Sequence, residues 1–392
     1  MTFKKLFCLF LSLCVVFPIF SLPIFASDSE DILPVSSSVS LELDCESAIL
    51  MEANTGYVLY EKSADTPLPP ASVTKIMTLL LVMEAIDSGA LSYSDTVTAS
   101  AYASSMGGSQ IFLKEGEQMT VEDMLKSVVI ASANDAAVAL AEHIAGSESA
   151  FVAKMNARAA ELGMQNTHFE NTNGLDDTAE NHVTSARDIA IMSRELISHK
   201  DILKFSSTWM DTVRNGEFGL TNTNRLVRYY NGCTGLKTGS TSKAKFCISA
   251  TAERDGMSLI AVIMASPSRD ARNNAAKQLL DYGFSNYELF SPEIELPESV
   301  KAVGSAKESC KIEMQDFVCT LPSGKAKNVK AELTLDEKIK APVYEGDCVG
   351  YVKFTLDGKE IGKAEIVAAE SAERITYLQV FKKIISFFLL KK

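Results

Sequence analysis

Pro69-Pro70-Ala71-Ser72-Val73-Thr74-Lys75-Ile76-Met77-Thr78 opens an apolar run in which Val73, Ile76, Leu79, Leu80, Met83 and Ile86 recur at helical spacing. The run ends at Ser88-Gly89, and the two prolines keep the preceding chain extended. The spacing predicts a helix with Ser72 in its first turn, where free backbone N–H groups and the helix dipole favour negative charge. Ser72 and Lys75, three residues apart, share one face. A serine becomes a nucleophile when a base takes its proton, and a lysine can be that base only if burial or another cation lowers its pKa. The plain alternative is a surface serine beside a lysine that reaches into water.

Two later motifs bear on that choice. Val121 to Ile144 has helical periodicity interrupted by Ser132-Ala133-Asn134 and Asp135, residues that compete with the backbone for hydrogen bonds. The interruption is either a polar break facing a cleft or an N-cap between two core helices. Lys237-Thr238-Gly239-Ser240 lies beside strand material, with Phe246–Ala252 and Leu259–Ala265 reading as a hairpin. Gly239 there permits close approach of a ligand to the backbone.

Around these motifs, the 392 residues hold 46% hydrophobic and 22% charged residues, a globular composition with room for two domains. A net charge of −12 argues against nucleic-acid binding. Residues 1–26 carry Lys4 and Lys5 before an apolar stretch and read as a secretory signal, an uncleaved anchor being the alternative. Export permits disulfides among Cys45, Cys233, Cys247, Cys310, Cys319 and Cys348, but their spacings match no zinc pattern. With four scattered histidines, no metal site and no cofactor is expected. Residues 27–45 form a loose lead-in, 46–288 a catalytic unit and 291–368 an all-β module; the segment 94–117 reads as loop rather than core. Ile375, Leu378, Phe381, Ile384, Ile385, Phe388 and Leu389 place an amphipathic helix within 372–392, suited to a membrane surface or to docking on the β module.

Ser72-x-x-Lys75, Ser132-x-Asn134 and Lys237-Thr238-Gly239, in that order, resemble the motif set of penicillin-binding proteins and class A β-lactamases. PPASVTKIMT, SANDAAVALAEHIAG, GLKTGSTSKAK and SRDAR make the chain similar to low-molecular-mass penicillin-binding proteins, serine-type D-alanyl-D-alanine carboxypeptidases of the S11 peptidase type. The resemblance implies an α/β (α+β) catalytic domain with an antiparallel sheet covered by helices, followed by a C-terminal β-sandwich. It implies that Ser72 is acylated, Lys75 is its base and Ser132 relays a proton to the leaving group. Asn134 would hold Lys75 and the substrate amide. Lys237, Thr238 and Arg272 would meet the substrate carboxylate, and the N–H groups of Ser72 and Ser240 the oxyanion. The implied partners are a peptidoglycan pentapeptide ending in D-Ala-D-Ala, β-lactams as inhibitors and the outer face of the cytoplasmic membrane. Two departures stand out: Ser240 is small, and Asn222-Thr223-Asn224 lacks the arginine some relatives carry. The rival readings are a serine β-lactamase and a non-catalytic sensor. A class A β-lactamase needs a glutamate with asparagine four residues on, and none occurs between 133 and 236.

Overall fold

The structure is a computed structural model describing residues 41–176 and 179–389. The expected signal segment and most of the lead-in lie outside the described residues.

β1 (Ser47–Glu52) and β2 (Val58–Lys62) form the first hairpin. A 3₁₀ turn, Ala71–Thr74, then runs into α1 (Lys75–Asp87), so Ser72 precedes the α-helix instead of lying in its first turn. Ala71, the first residue of that turn, is held at φ +48°. β3 (Thr96–Thr98) pairs with β4 (Gln118–Thr120), with α2 (Ala101–Ser104) between them. This stretch is not all surface loop, because Val97, Ala99, Ala103, Ile111 and Leu113 are buried in the main core. The sparse apolar residues of 94–117 hid that role.

α3 (Val121–Ile130), α4 (Asn134–Ala145), α5 (Glu148–Glu161), α6 (Ala186–Ser198) and α7 (Ile202–Ser206) follow. A hairpin of β5 (Met210–Val213) and β6 (Phe218–Thr221) and the short α8 (Leu226–Tyr229) lead into β7 (Cys233–Thr241), β8 (Lys245–Arg254) and β9 (Met257–Ser266). α9 (Arg269–Asn286) and β10 (Tyr287–Phe290) close the unit. The main sheet has the antiparallel order β2-β1-β9-β8-β7.

Both faces of that sheet are covered, and strand alternation divides the residues between two cores. Ile49, Met51, Ile260, Val262 and Met264 join the core shared with α1, α3, α4 and α6. Ala48, Leu50, Leu259, Ala261 and Ile263 join the core under α9. Continuous burial of β1 and β9 thus reflects a sheet with helices on both sides.

The C-terminal region contains β11 (Ser299–Val303), β12 (Ser309–Met314), β13 (Cys319–Pro322), β14 (Lys330–Leu335), β15 (Lys338–Lys340), β16 (Cys348–Leu356) and β17 (Lys359–Ala368). Six of these form the sheet β14-β16-β17-β12-β11-β15, and β13 pairs with β10. Val300, Phe354 and Ile366 share a core with Cys319 and Leu321. Adjacent residues of β10 serve different cores: Leu289 packs on the α9 side and Phe290 on the β side. α10 (Tyr377–Leu389) ends the described chain and starts five residues later than the sequence segment suggested. Ala372 is instead fully buried and exchanges backbone hydrogen bonds with Val343.

Candidate active site

Lys75 is the most constrained side chain of the site. Fully buried, its Nζ lies 2.9 Å from Ser72 Oγ, 2.6 Å from Asn134 Oδ1 and 2.7 Å from the Asn173 carbonyl oxygen. The last two partners can only accept. A neutral amine has two N–H donors and one lone pair, so Asn134 and Asn173 use both donors and the lone pair is left for the Ser72 hydroxyl proton. Burial, then the charge of Lys237, holds the Lys75 pKa well below its usual value, while Asp135 acts in the opposite direction.

The partners are themselves fixed. Asn134 Nδ2 donates to Gly107 O at 2.7 Å, which orients Oδ1 toward Lys75. The buried Asp135 carboxylate accepts from the N–H groups of Ile111 and Leu113, tying the 107–113 segment to the start of α4. The break between α3 and α4 puts Ser132 at φ +63°, where its Oγ lies 2.8 Å from Lys237 Nζ. It is a break turned toward a cleft, although α4 does begin at Asn134.

Lys237 projects from β7, so the Lys-Thr-Gly motif is strand and not merely adjacent to it. Burial, with Arg272 second, lowers Lys237 to about 7. Thr238 Oγ1 donates to Thr223 Oγ1 at 2.9 Å, and Asn224 Nδ2 donates to the Gly235 carbonyl, so the 222–224 segment braces β7. Gly239 is required by the chain itself: a Cβ there would lie 2.7 Å from Pro70 O and 2.9 Å from Ser72 N, so the 3₁₀ turn already demands the glycine. The same approach brings the 239–240 backbone alongside the Ser72 N–H.

Ser72, Ser132, Thr238, Gly239, Ser240 and Arg272 line one cleft of about 600 Å³. Lys75, Asn134 and Lys237 reach it from beneath through Ser72 and Ser132. Arg272 is almost entirely buried, and its guanidinium donates to Asn273 Oδ1 and the Cys247 carbonyl. Burial lowers Arg272 to about 10, with Arg269 the next cause.

Other contributors carry no sequence motif. The loop before α6 supplies the Asn173 carbonyl and packs so closely that a Cβ on Gly174 would lie 1.9 Å from Ala71 O. His182 joins this loop to the nucleophile turn. Its Nδ1 accepts from the Glu170 N–H, leaving the protonated Nε2 to donate to Thr74 Oγ1 at 2.7 Å. Burial lowers His182 to about 4, so it stays neutral. Trp209, Arg225, Tyr229 and Arg269 complete one end of the cleft. Trp209 directly precedes the β5–β6 hairpin, whose turn the Asn215-Gly216 pair signals in the sequence. Tyr229 belongs to α8, Arg225 directly precedes that helix, and Arg269 starts α9. Among the described residues no carboxylate is hydrogen-bonded to Ser72 or Lys75.

Comparison with known proteins agrees with this arrangement. A family model described as D-alanyl-D-alanine carboxypeptidase matches residues 34–268, and one described as penicillin-binding protein 5, C-terminal domain, matches 287–374. The chain is 42% identical over 348 residues to D-alanyl-D-alanine carboxypeptidase DacF of Bacillus subtilis, covering 87% of this chain and 89% of that one. DacA of Escherichia coli is 33% identical over 362 residues, covering 89% and 88%. Penicillin binding protein 5 from Haemophilus influenzae superposes with a TM-score of 0.73 at 33% identity, covering 85% of this chain and 99% of that one. Penicillin-binding protein D2 from Listeria monocytogenes, in its ampicillin-bound form, gives 0.55 at 32% identity, covering 62% and 99%. With a family model spanning most of the chain and relatives matched along nearly their whole length, the chain belongs to the D-alanyl-D-alanine carboxypeptidases.

Proposed function

We propose that Ser72 carries the acyl group in removal of the terminal D-alanine from a peptidoglycan pentapeptide. Ser72 Oγ attacks the carbonyl carbon of the penultimate residue as Lys75 Nζ takes its proton. The developing oxyanion is met by the N–H groups of Ser72 and Ser240. The C–N bond then breaks, and the departing amine takes a proton through Ser132, made good by the proton that Lys75 took from Ser72, so that Lys75 is neutral again and Lys237 stays charged. Water, with Lys75 again as base, releases the shortened peptide. Lys237, Thr238 and Arg272 hold the terminal carboxylate.

The observation that carries this reading is the three-partner setting of Lys75, which leaves its lone pair for one hydroxyl. A β-lactam presents a strained amide to the same nucleophile, and the ampicillin- and cefotaxime-bound forms of the Listeria relative support acylation here too. The β-lactamase reading is not favoured, because the loop facing Lys75 offers a backbone carbonyl rather than a glutamate. The enzyme works outside the cytoplasm, at the outer face of the cytoplasmic membrane, to which α10 attaches it. Support for this is the sequence of residues 1–26 and the exposed apolar side chains of α10, among them Phe381 and Phe388.

The test is release of D-alanine from a pentapeptide, together with intact-mass analysis after benzylpenicillin. Wild type should release D-alanine and take one adduct on the Ser72 peptide, and Ser72→Ala should do neither. An adduct on Ser132 would overturn the assignment.

A further inference from the structure

Two arginines at the cleft mouth have no assigned task. Arg225 and Arg269 are exposed, line the same cleft as Ser72, and have no ion-pair partner among the described residues. Each stands on a braced post. Arg225 follows Asn224, whose side chain is anchored to β7, and Arg269 begins α9 directly after its Ser268 cap. The other cations nearby are already engaged. Arg228 lies over the Trp209 and Tyr229 rings at 5.5 Å, and Arg272 is tied to Asn273.

Like charges have been gathered here against their own repulsion. After burial, the charges of Arg269 and Arg225 both act to lower Arg272, with Cys247 and Asp270 acting the other way. The chain as a whole carries −12, so this end of the cleft opposes the general field. A cleft lined by one sign of charge concentrates ligands of the other sign and raises their association rate. A buried pair such as Lys237 and Arg272 can hold a carboxylate that has arrived, but cannot reach out for it.

We propose that Arg225 and Arg269 form an outer anion site that captures the C-terminal carboxylate of an incoming peptide and hands it inward to Lys237 and Arg272. Selection for the free acid thus begins at the mouth, before the covalent step. This rests on the placement of the carboxylate given under the proposed function.

The measurement is kcat/KM for release of the C-terminal residue from a D-Ala-D-Ala peptide and from its C-terminal amide, at low and high ionic strength. The double variant Arg225→Gln, Arg269→Gln should lose about tenfold on the acid at low salt. The loss should shrink at high salt, where screening is strong, and the amide should change little. Restoring charge with lysine at both positions should recover most of the rate. Equal losses on acid and amide, a loss independent of salt, or no loss would each overturn the outer site. Benzylpenicillin stoichiometry separates the two levels. One Ser72 adduct in both proteins shows the inner chemistry intact, whereas none in wild type would sink the underlying reading instead.

Discussion

An ordinary lysine is protonated at neutral pH, so Lys75 and Lys237 can take different roles only because burial has moved both. Lys75 lies well below its usual range, and Lys237 sits near 7. Below 7 Lys237 is charged in the free enzyme and can meet a carboxylate. Above 7 it has lost that proton, and binding an anion requires taking it back. KM for a D-Ala-D-Ala peptide should therefore rise with pH above 7, approaching about tenfold per unit. The C-terminal amide should show no such rise, and Lys237→Ala should flatten the profile for the acid. Steady-state assays from pH 6 to 9 decide it; an identical rise for the amide would remove Lys237 from carboxylate binding. The acid side belongs to Lys75, because protonation fills the lone pair that faces Ser72. Lys75→Arg, permanently charged, should lose acylation by penicillin. Residue types at these positions were legible in the sequence, since acyl transfer needs a nucleophile, a base and an acid. The Asn173 carbonyl was not, because a backbone oxygen carries no side-chain signature.

At the scale of elements, the site is the meeting of three backbone irregularities. The 3₁₀ turn carries Ser72, the left-handed Ser132 separates α3 from α4, and β7 passes against the turn at Gly239. The break at Ser132-Ala133-Asn134 was visible because polar residues interrupt an apolar period. The 3₁₀ form of the first turn was not, since its apolar spacing also fits an α-helix. Burial of 94–117 was missed for a related reason: Val97 and Ala99 alternate over too few residues to register as a strand. Gly239 provides the test at this level. In Gly239→Ala the new methyl would fall within 3.0 Å of Pro70 O, Ser72 N and Val73 N, all backbone atoms that a side-chain rotation cannot clear. Overpacking of this kind costs about 1–3 kcal/mol. The variant should melt lower and, beyond that, acylate far more slowly at temperatures where it is fully folded, because the strand that moves also bears Ser240. Normal acylation by a folded Gly239→Ala protein would mean that the turn and strand are not mechanically coupled.

At the scale of the whole molecule, the catalytic and β regions have separate cores that meet at β10 and at contacts such as Thr55 Oγ1 to Thr320 Oγ1, 3.0 Å apart. The change in sequence texture near 290 was legible, but the pairing of β10 with β13 was not, because strand partners distant in sequence leave no local pattern. α10 follows the β region and buries none of its residues; Leu378 is 64% exposed, Phe381 60% and Phe388 72%. Lys383 Nζ donates to Ala306 O of the β region at 3.1 Å. An apolar helix face left in water is unfavourable in proportion to its area. No described helix is long and apolar enough to cross a membrane, and the proposed surface-lying position would cover this face. Lys382 and Lys383 would add about 1 kcal/mol each on anionic lipid. The full chain without residues 1–26 should therefore co-sediment with anionic vesicles, less completely but still measurably at high salt. Deletion should begin after Thr376, because Ala372 is fully buried and bonded to Val343, and a cut there would damage the β region itself. Removing residues 377–392 should abolish sedimentation while leaving the penicillin adduct on Ser72. If the shortened protein sediments as well as the full chain, α10 is not the attachment. If sedimentation is abolished but the adduct is lost as well, the deletion has disturbed more than the helix, and Phe381→Glu with Phe388→Glu in the full chain becomes the deciding measurement.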